Sequence, residues 1–135
     1  MTDPSVPMDR KKILKDTAIA GNVITTLTVP AGERWLLLNA TFTLTTDATV
    51  ANRLAQINTQ DVANTQIFLN RASAVVASQT GINRYFNRAF DATDAVRNSL
   101  GHSIVDAGED VVLQLIGGVV GDAYTYLLEY LKVEI

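Results

Sequence analysis

Any search for chemistry in this chain starts at His102, its one histidine, because imidazole is the side chain whose charge changes near neutral pH. The nearest candidate partners are Ser99, Ser103 and Asp106. In an extended segment adjacent side chains point to opposite faces, so Ser103 and His102 cannot form a direct serine–histidine pair. His102 therefore reads as a surface or loop imidazole. A histidine-based metal centre needs several imidazoles, and the lack of cysteine excludes disulfides and thiolate metal sites. Asp106, Glu109 and Asp110 offer oxygen ligands, but their spacing matches no calcium loop, and acids around a glycine turn are ordinarily solvated. Gly117-Gly118 lies between two strand patterns and precedes no lysine-bearing helix, so it reads as a hairpin turn and not as a phosphate loop. No catalytic residue, metal or cofactor is assigned, and the chain reads as a non-enzyme.

Recognition by stacking is the next possibility. Arg84-Tyr85-Phe86-Asn87-Arg88 interleaves basic and aromatic residues as a nucleic-acid surface would. A strand with a buried aromatic and arginines reaching outward gives the same pattern. Tyr124, Tyr126 and Tyr130 could stack on sugars, although a tyrosine stripe on a strand more often belongs to a core or an interface. The formal net charge of -3 gives no general attraction to nucleic acid. The charge is uneven: residues 1–90 hold nine Lys or Arg against six acids, and residues 91–135 hold two against eight. Opposite signs could meet across a subunit contact, or the clusters could be ordinary solvated surface.

The elements that must position these residues are strands. Within residues 29–53, the turn Pro30-Ala31-Gly32-Glu33 leads into a long alternation. Leu36, Leu38, Ala40, Phe42 and Leu44 share one face, and Asn39, Thr41, Thr43 and Thr45 share the other. This predicts a strand burying the first set, with Trp35 and Leu37 interrupting the polar face at its start. Residues 23–29 predict another strand, with Val23, Leu27 and Val29 on one side. Further strands are expected near Leu54 and Ile57 and over residues 66–69, with a loop at 58–64. Residues 72–78 are small and suit close packing of a strand, another sheet or another subunit. Residues 91–100 read either as a short helix capped by Asp91 and ended by Gly101, or as a polar loop at a sheet edge.

Val111, Leu113 and Leu115 alternate before the glycine turn. The final run, 123–135, places Tyr124, Tyr126, Leu128 and Tyr130 on one strand face and Leu127, Leu131, Val133 and Ile135 on the other. A helix through Tyr124, Leu127, Leu128 and Leu131 is the competing pattern, and the aromatics and preceding glycines favour the strand. Val29-Pro30-Ala31-Gly32-Glu33-Arg34-Trp35 and Val105-Asp106-Ala107-Gly108-Glu109-Asp110-Val111 form a weak repeat suited to equivalent corners of two sheets. Short strands with turn signals predict an all-β, antiparallel β-sandwich of jelly-roll type.

The chain has 135 residues, which suits one domain. Residues 1–12 contain Pro4 and Pro7 and read as an extended N-terminal arm, leaving 13–135 as a single sandwich. The first residues lack the apolar stretch of a secretory signal, so synthesis in the cytoplasm is expected. No apolar run approaches the ~20 residues of a membrane-spanning helix. Yet 47% of residues are hydrophobic and only 19% charged, an apolar excess that predicts buried subunit contacts.

With these residues in view, the sequence resembles the small jelly-roll virion proteins of tailed bacteriophages, the group of head-decoration, minor capsid and vertex or fibre proteins. The likeness lies in V-P-A-G-E-R-W at 29–35, T-L-T-T-D-A-T-V-A-N-R at 43–53 and A-G-E at 107–109. It implies assembly in the host cytoplasm into a virion, as a homo-oligomer with a trimer favoured, in contact with other virion proteins such as a major capsid protein. Neither nucleic acid nor membrane is an expected partner. The interface candidates are Arg10, Lys11 and Lys12 in the arm and Trp35, Tyr124, Tyr126 and Tyr130 in the strands. The reading from a different class is a carbohydrate-binding sandwich that uses Trp35 and the tyrosines as sugar platforms.

Overall fold

A computed structural model describes residues 8–87, 97–99 and 104–135. Ten strands are formed, β1 (Met8–Ala20), β2 (Thr25–Thr28), β3 (Glu33–Thr45), β4 (Leu54–Gln60), β5 (Gln66–Arg71), β6 (Ile82–Asn87), β7 (Arg97–Ser99), β8 (Ile104–Asp106), β9 (Asp110–Ile116) and β10 (Ala123–Glu134). There is no helix among the described residues. One sheet runs β1-β10-β3-β6-β7, with β8 also paired to β3, and the other runs β2-β9-β4-β5. Apart from the β4–β5 hairpin and the short β6–β7–β8 excursion, each successive strand crosses to the opposite sheet. That interleaving is a jelly roll. Its pairs are antiparallel except β6–β7, which is parallel and lies at the sheet edge.

The core is built from the inward-facing alternations. Val111, Leu113 and Leu115 of β9 and Ala55 and Ile57 of β4 meet Ala40, Phe42 and Leu44 of β3 and Tyr124, Tyr126, Leu128 and Tyr130 of β10, all buried. Phe42 packs on Phe86 edge to face at 5.8 Å and on Tyr124 at 5.9 Å. The final run is therefore a strand, and its tyrosine face is the inner one. The repeated corners are neighbours: the N–H of Gly108 donates to the carbonyl of Val29 (2.9 Å), and the N–H of Val29 to that of Glu109 (3.0 Å). Gly32 and Gly108 both take the left-handed backbone, at φ 83° and 82°, which glycine adopts without steric cost.

Five expectations are corrected. In β3, Glu129 faces Asn39 while Tyr130 faces Leu37, so Leu38 is an extra residue, a β-bulge. The bulge switches the phase of burial, and Trp35 and Leu37 are core residues while Leu36 and Leu38 turn outward. Residues 58–60, expected in a loop, belong to β4 between β5 and β9. Residues 72–78 form a connection bridged only at Val75 to Arg53, and Gly117-Gly118 turns between two sheets and not within a hairpin. The expected boundary of the arm falls inside β1, where residues 8–12 pair with 129–133 of β10. Residues 97–99 are strand β7, and the rest of 91–100, like His102, lies outside the described residues.

Candidate functional site

At one end of the sandwich the connections 21–24, 46–53, 72–81 and 117–122 come together. They are braced from beneath by Arg53, whose side chain is fully buried. Its Nε donates to Asp122 Oδ2 (2.9 Å), one terminal nitrogen to Asp122 Oδ1 (3.1 Å) and Asp47 Oδ1 (3.0 Å), and the other to the carbonyl of Ala51 (2.8 Å). Asp122 also accepts the N–H groups of Asp47 (2.8 Å) and Val119 (3.0 Å). Burial alone would raise the Asp122 carboxyl. The Arg53 hydrogen bonds, the two backbone donors and the Arg53 charge outweigh it and hold the group below its ordinary value. Thr46 extends the brace by donating to the carbonyl of Val76 (2.7 Å) and accepting the N–H of Gln79 (2.9 Å). Gly21 and Gly118 allow close approaches: a Cβ on Gly21 would strike Asp122, and one on Gly118 would strike the Gly21 carbonyl.

Each of these four connections displays aliphatic side chains to solvent. Val23, Ile24, Val50, Val76 and Val120 are 46%, 58%, 94%, 54% and 74% exposed. Val50 and Val76 share one depression with Ala51, Asn52 and Ala77. The two carboxylates beneath, Asp47 and Asp122, are both engaged by Arg53. This crown can exclude water from a partner, and its braced loops limit the ordering entropy lost on binding. Among the described residues no acid–base pair or nucleophile converges on it.

A second outward apolar surface covers the sheet of β1, β10 and β3. Two of its cross-strand rows read Arg10–Leu131–Leu36–Ile104 and Leu14–Leu127–Thr41–Tyr85. Leu14 is 64% and Ile104 46% exposed, and the other leucines are half-buried between their neighbours. Arg10 pairs with Glu129 (2.9 Å), and Arg34 pairs with Asp106.

The expected interface residues separate into two groups. Arg10, Lys11 and Lys12 are exposed on β1, whereas Trp35, Tyr124, Tyr126 and Tyr130 are only 5%, 1%, 6% and 8% exposed and form part of the chain's own core. Trp35 stacks on Tyr130 at 4.2 Å and donates to Glu33 Oε1 at 3.0 Å. The Tyr124 hydroxyl donates to the Val23 carbonyl (2.8 Å) and meets Thr25 Oγ1 (2.9 Å). Burial raises the phenol pKa of all three tyrosines. An aromatic interface is thus corrected: the bulge turns Trp35 inward, and the tyrosine face is closed by the second sheet. In Arg84–Arg88, Phe86 is core. Among the described residues no group of three His, Asp or Glu side chains could hold a metal ion, and no helix is long and apolar enough to cross a membrane. The acidic trio is engaged locally: Asp106 with Arg34, Glu109 with the Asp106 N–H, and Asp110 with Thr28. Arg53, Asp47 and Asp122 escaped the sequence reading, since an arginine beside a polar loop carries no mark of burial.

The architecture defines a jelly-roll β-sandwich. No family model matches the chain, and no curated protein matches it significantly. Among solved structures it is similar to VP2 of infectious bursal disease virus in a subviral particle, at 15% identity and a TM-score of 0.44, over 98% of this chain and 34% of that one. A second VP2 structure, from particles of a mutant protein, gives 12% identity and a TM-score of 0.40 over 100% of this chain and 42% of that one. The chain thus spans well under half the length of these structures, and at such scores the likeness carries no argument about function.

Proposed function

We propose that the chain is a non-enzymatic virion structural protein, a head-decoration, minor capsid or other surface component of a tailed bacteriophage. It is made in the host cytoplasm and acts through contacts with copies of itself and with other virion proteins such as a major capsid protein. The observation that carries this reading is the crown of Val23, Ile24, Val50, Val76 and Val120 on loops braced by buried Arg53. Exposed aliphatic side chains with, among the described residues, no acid–base pair or nucleophile beside them suit docking and not turnover. The jelly-roll strand order and the sequence likeness at 29–35 and 43–53 agree with it. The carbohydrate reading loses its support, because stacking on a sugar needs an open aromatic face and Trp35, Tyr124, Tyr126 and Tyr130 have none to offer.

The test is the protein composition of gradient-purified particles, measured by quantitative mass spectrometry and by antibody labelling under the electron microscope. The chain is expected in a fixed ratio to the major capsid protein and on the particle surface. Its absence from purified particles would overturn the proposal.

A further inference from the structure

The two outer faces of the sandwich differ in kind. On the β2-β9-β4-β5 sheet the outward positions include Thr26, Gln56, Asn58, Gln114 and Arg71, interrupted by Val112 and Leu69. Most of these positions are polar, and Gln56, Asn58 and Val112 among them are buried at 2%, 4% and 4% exposure. On the β1-β10-β3 sheet the outward positions instead include Leu14, Leu36, Leu38, Leu127 and Leu131. None of these five belongs to the core or packs against it. We infer that this second face is a homotypic interface, which seats the same face of another copy of the chain across a twofold axis.

Size, charge and chemistry favour a second copy. Strands β1 and β3 have 13 residues each and β10 has 12. At about 3.3 Å per residue and about 4.8 Å between strands, with a fourth row from β6 and β8, the face measures roughly 43 by 19 Å, about 800 Å². That is about what one partner contributes to a standard stable interface. The face offers little net field to a partner of opposite sign. Glu129 lies across from Lys12 and bonds to Arg10, and Arg34 and Asp106 neutralise each other. A copy of the same face therefore meets it with little like-charge repulsion, and leucine rows on two twisted sheets can interdigitate as in the interior of a sandwich. A face that meets itself is isologous, so the count of subunits in the isolated protein is even.

The interface is read on the isolated protein, so it stands or falls apart from the virion assignment, which is tested by particle composition. Sedimentation velocity of the full chain over a wide concentration range is expected to show dimers. Leu127→Glu and Leu127→Lys each set like charges against themselves and should raise the dissociation constant roughly hundredfold. Mixing the two variants should restore dimers containing one of each. Leu14→Glu and Leu14→Lys, at a position 64% exposed, provide the same pair of variants with little load on the fold, which circular dichroism and thermal melting monitor. A wild-type monomer at high concentration, a trimer indifferent to these substitutions, or folded Leu14 variants that neither dissociate alone nor recombine when mixed would overturn the inference.

Discussion

Arg53 is the residue on which the loop end depends. A guanidinium removed from water is tolerable only while its donors and its charge are satisfied, and Asp122 supplies two of the four hydrogen bonds. Asp122→Ala leaves that cation with partly exposed Asp47 as its remaining carboxylate and also strands the N–H groups of Asp47 and Val119. The expected cost is about 3–5 kcal/mol in chemical denaturation, in line with removal of one member of a buried pair. The pH dependence has a definite sign. The folded Asp122 carboxyl titrates below its ordinary value, so its contribution is complete above the unfolded pKa of about 3.9 and is lost as the pH falls through the folded value. The wild-type melting temperature should therefore fall faster than that of Asp122→Asn as the solution is acidified below about pH 4. Parallel curves would show that the pair does not govern acid stability. Trp35 gives an independent check at the same scale. Being 5% exposed within one chain, it should resist acrylamide quenching equally in dilute monomer and in any assembly, and strong quenching in the monomer would place it outside the core.

At the scale of elements, alternation was readable wherever a strand kept one phase. Val111, Leu113 and Leu115 fall together on one face as the alternation predicts, as do Tyr124, Tyr126, Leu128 and Tyr130, because no residue is inserted along β9 or β10, although the sequence does not say that the tyrosine face is the inner one. β3 misled the reading for the opposite reason. A bulge places one residue outside the count, and a run such as Trp35-Leu36-Leu37-Leu38 is apolar in either phase, so nothing in the composition marks the extra Leu38. The polar Asn58 and Thr59 concealed a central strand, since hydrophobic pattern alone assigns such residues to a loop although both are buried. The basic N-terminus hid β1 in the same way: lysines on an edge strand deter unwanted pairing, but in sequence they read as an arm. Deleting residues 1–12 therefore removes more than a tail. It strips the first five described residues of β1 from β10 and breaks the Arg10–Glu129 pair. Reduced thermal stability and a rise in aggregation through the uncovered edge of β10 are expected, measured by thermal melting and light scattering.

At the scale of the whole molecule, chemistry and display are separated. The aromatic side chains of Trp35 and Tyr124–Tyr130 go to the core, whereas the surface offers aliphatic groups at the loop crown and across one sheet. The apolar excess of the composition forecast such surfaces, but it could not place them. Position depended on which loops converge, and convergence is set by the strand order. Val50 and Val120 separate stability from docking most cleanly, since they are 94% and 74% exposed and belong to different loops. Changing both to Ser removes two solvent-facing aliphatic groups without opening a cavity, so unfolding free energy should stay within about 0.5 kcal/mol of wild type. Binding of the purified variant to particles lacking the protein should weaken by about 2 kcal/mol or more if the crown is the central contact, roughly thirtyfold in dissociation constant. Addition of salt should change that binding little, because apolar burial is not screened as ion pairs are. A variant of unchanged stability and unchanged particle affinity would move docking away from the crown, whereas strong salt dependence would point instead to Lys11 and Lys12 on β1.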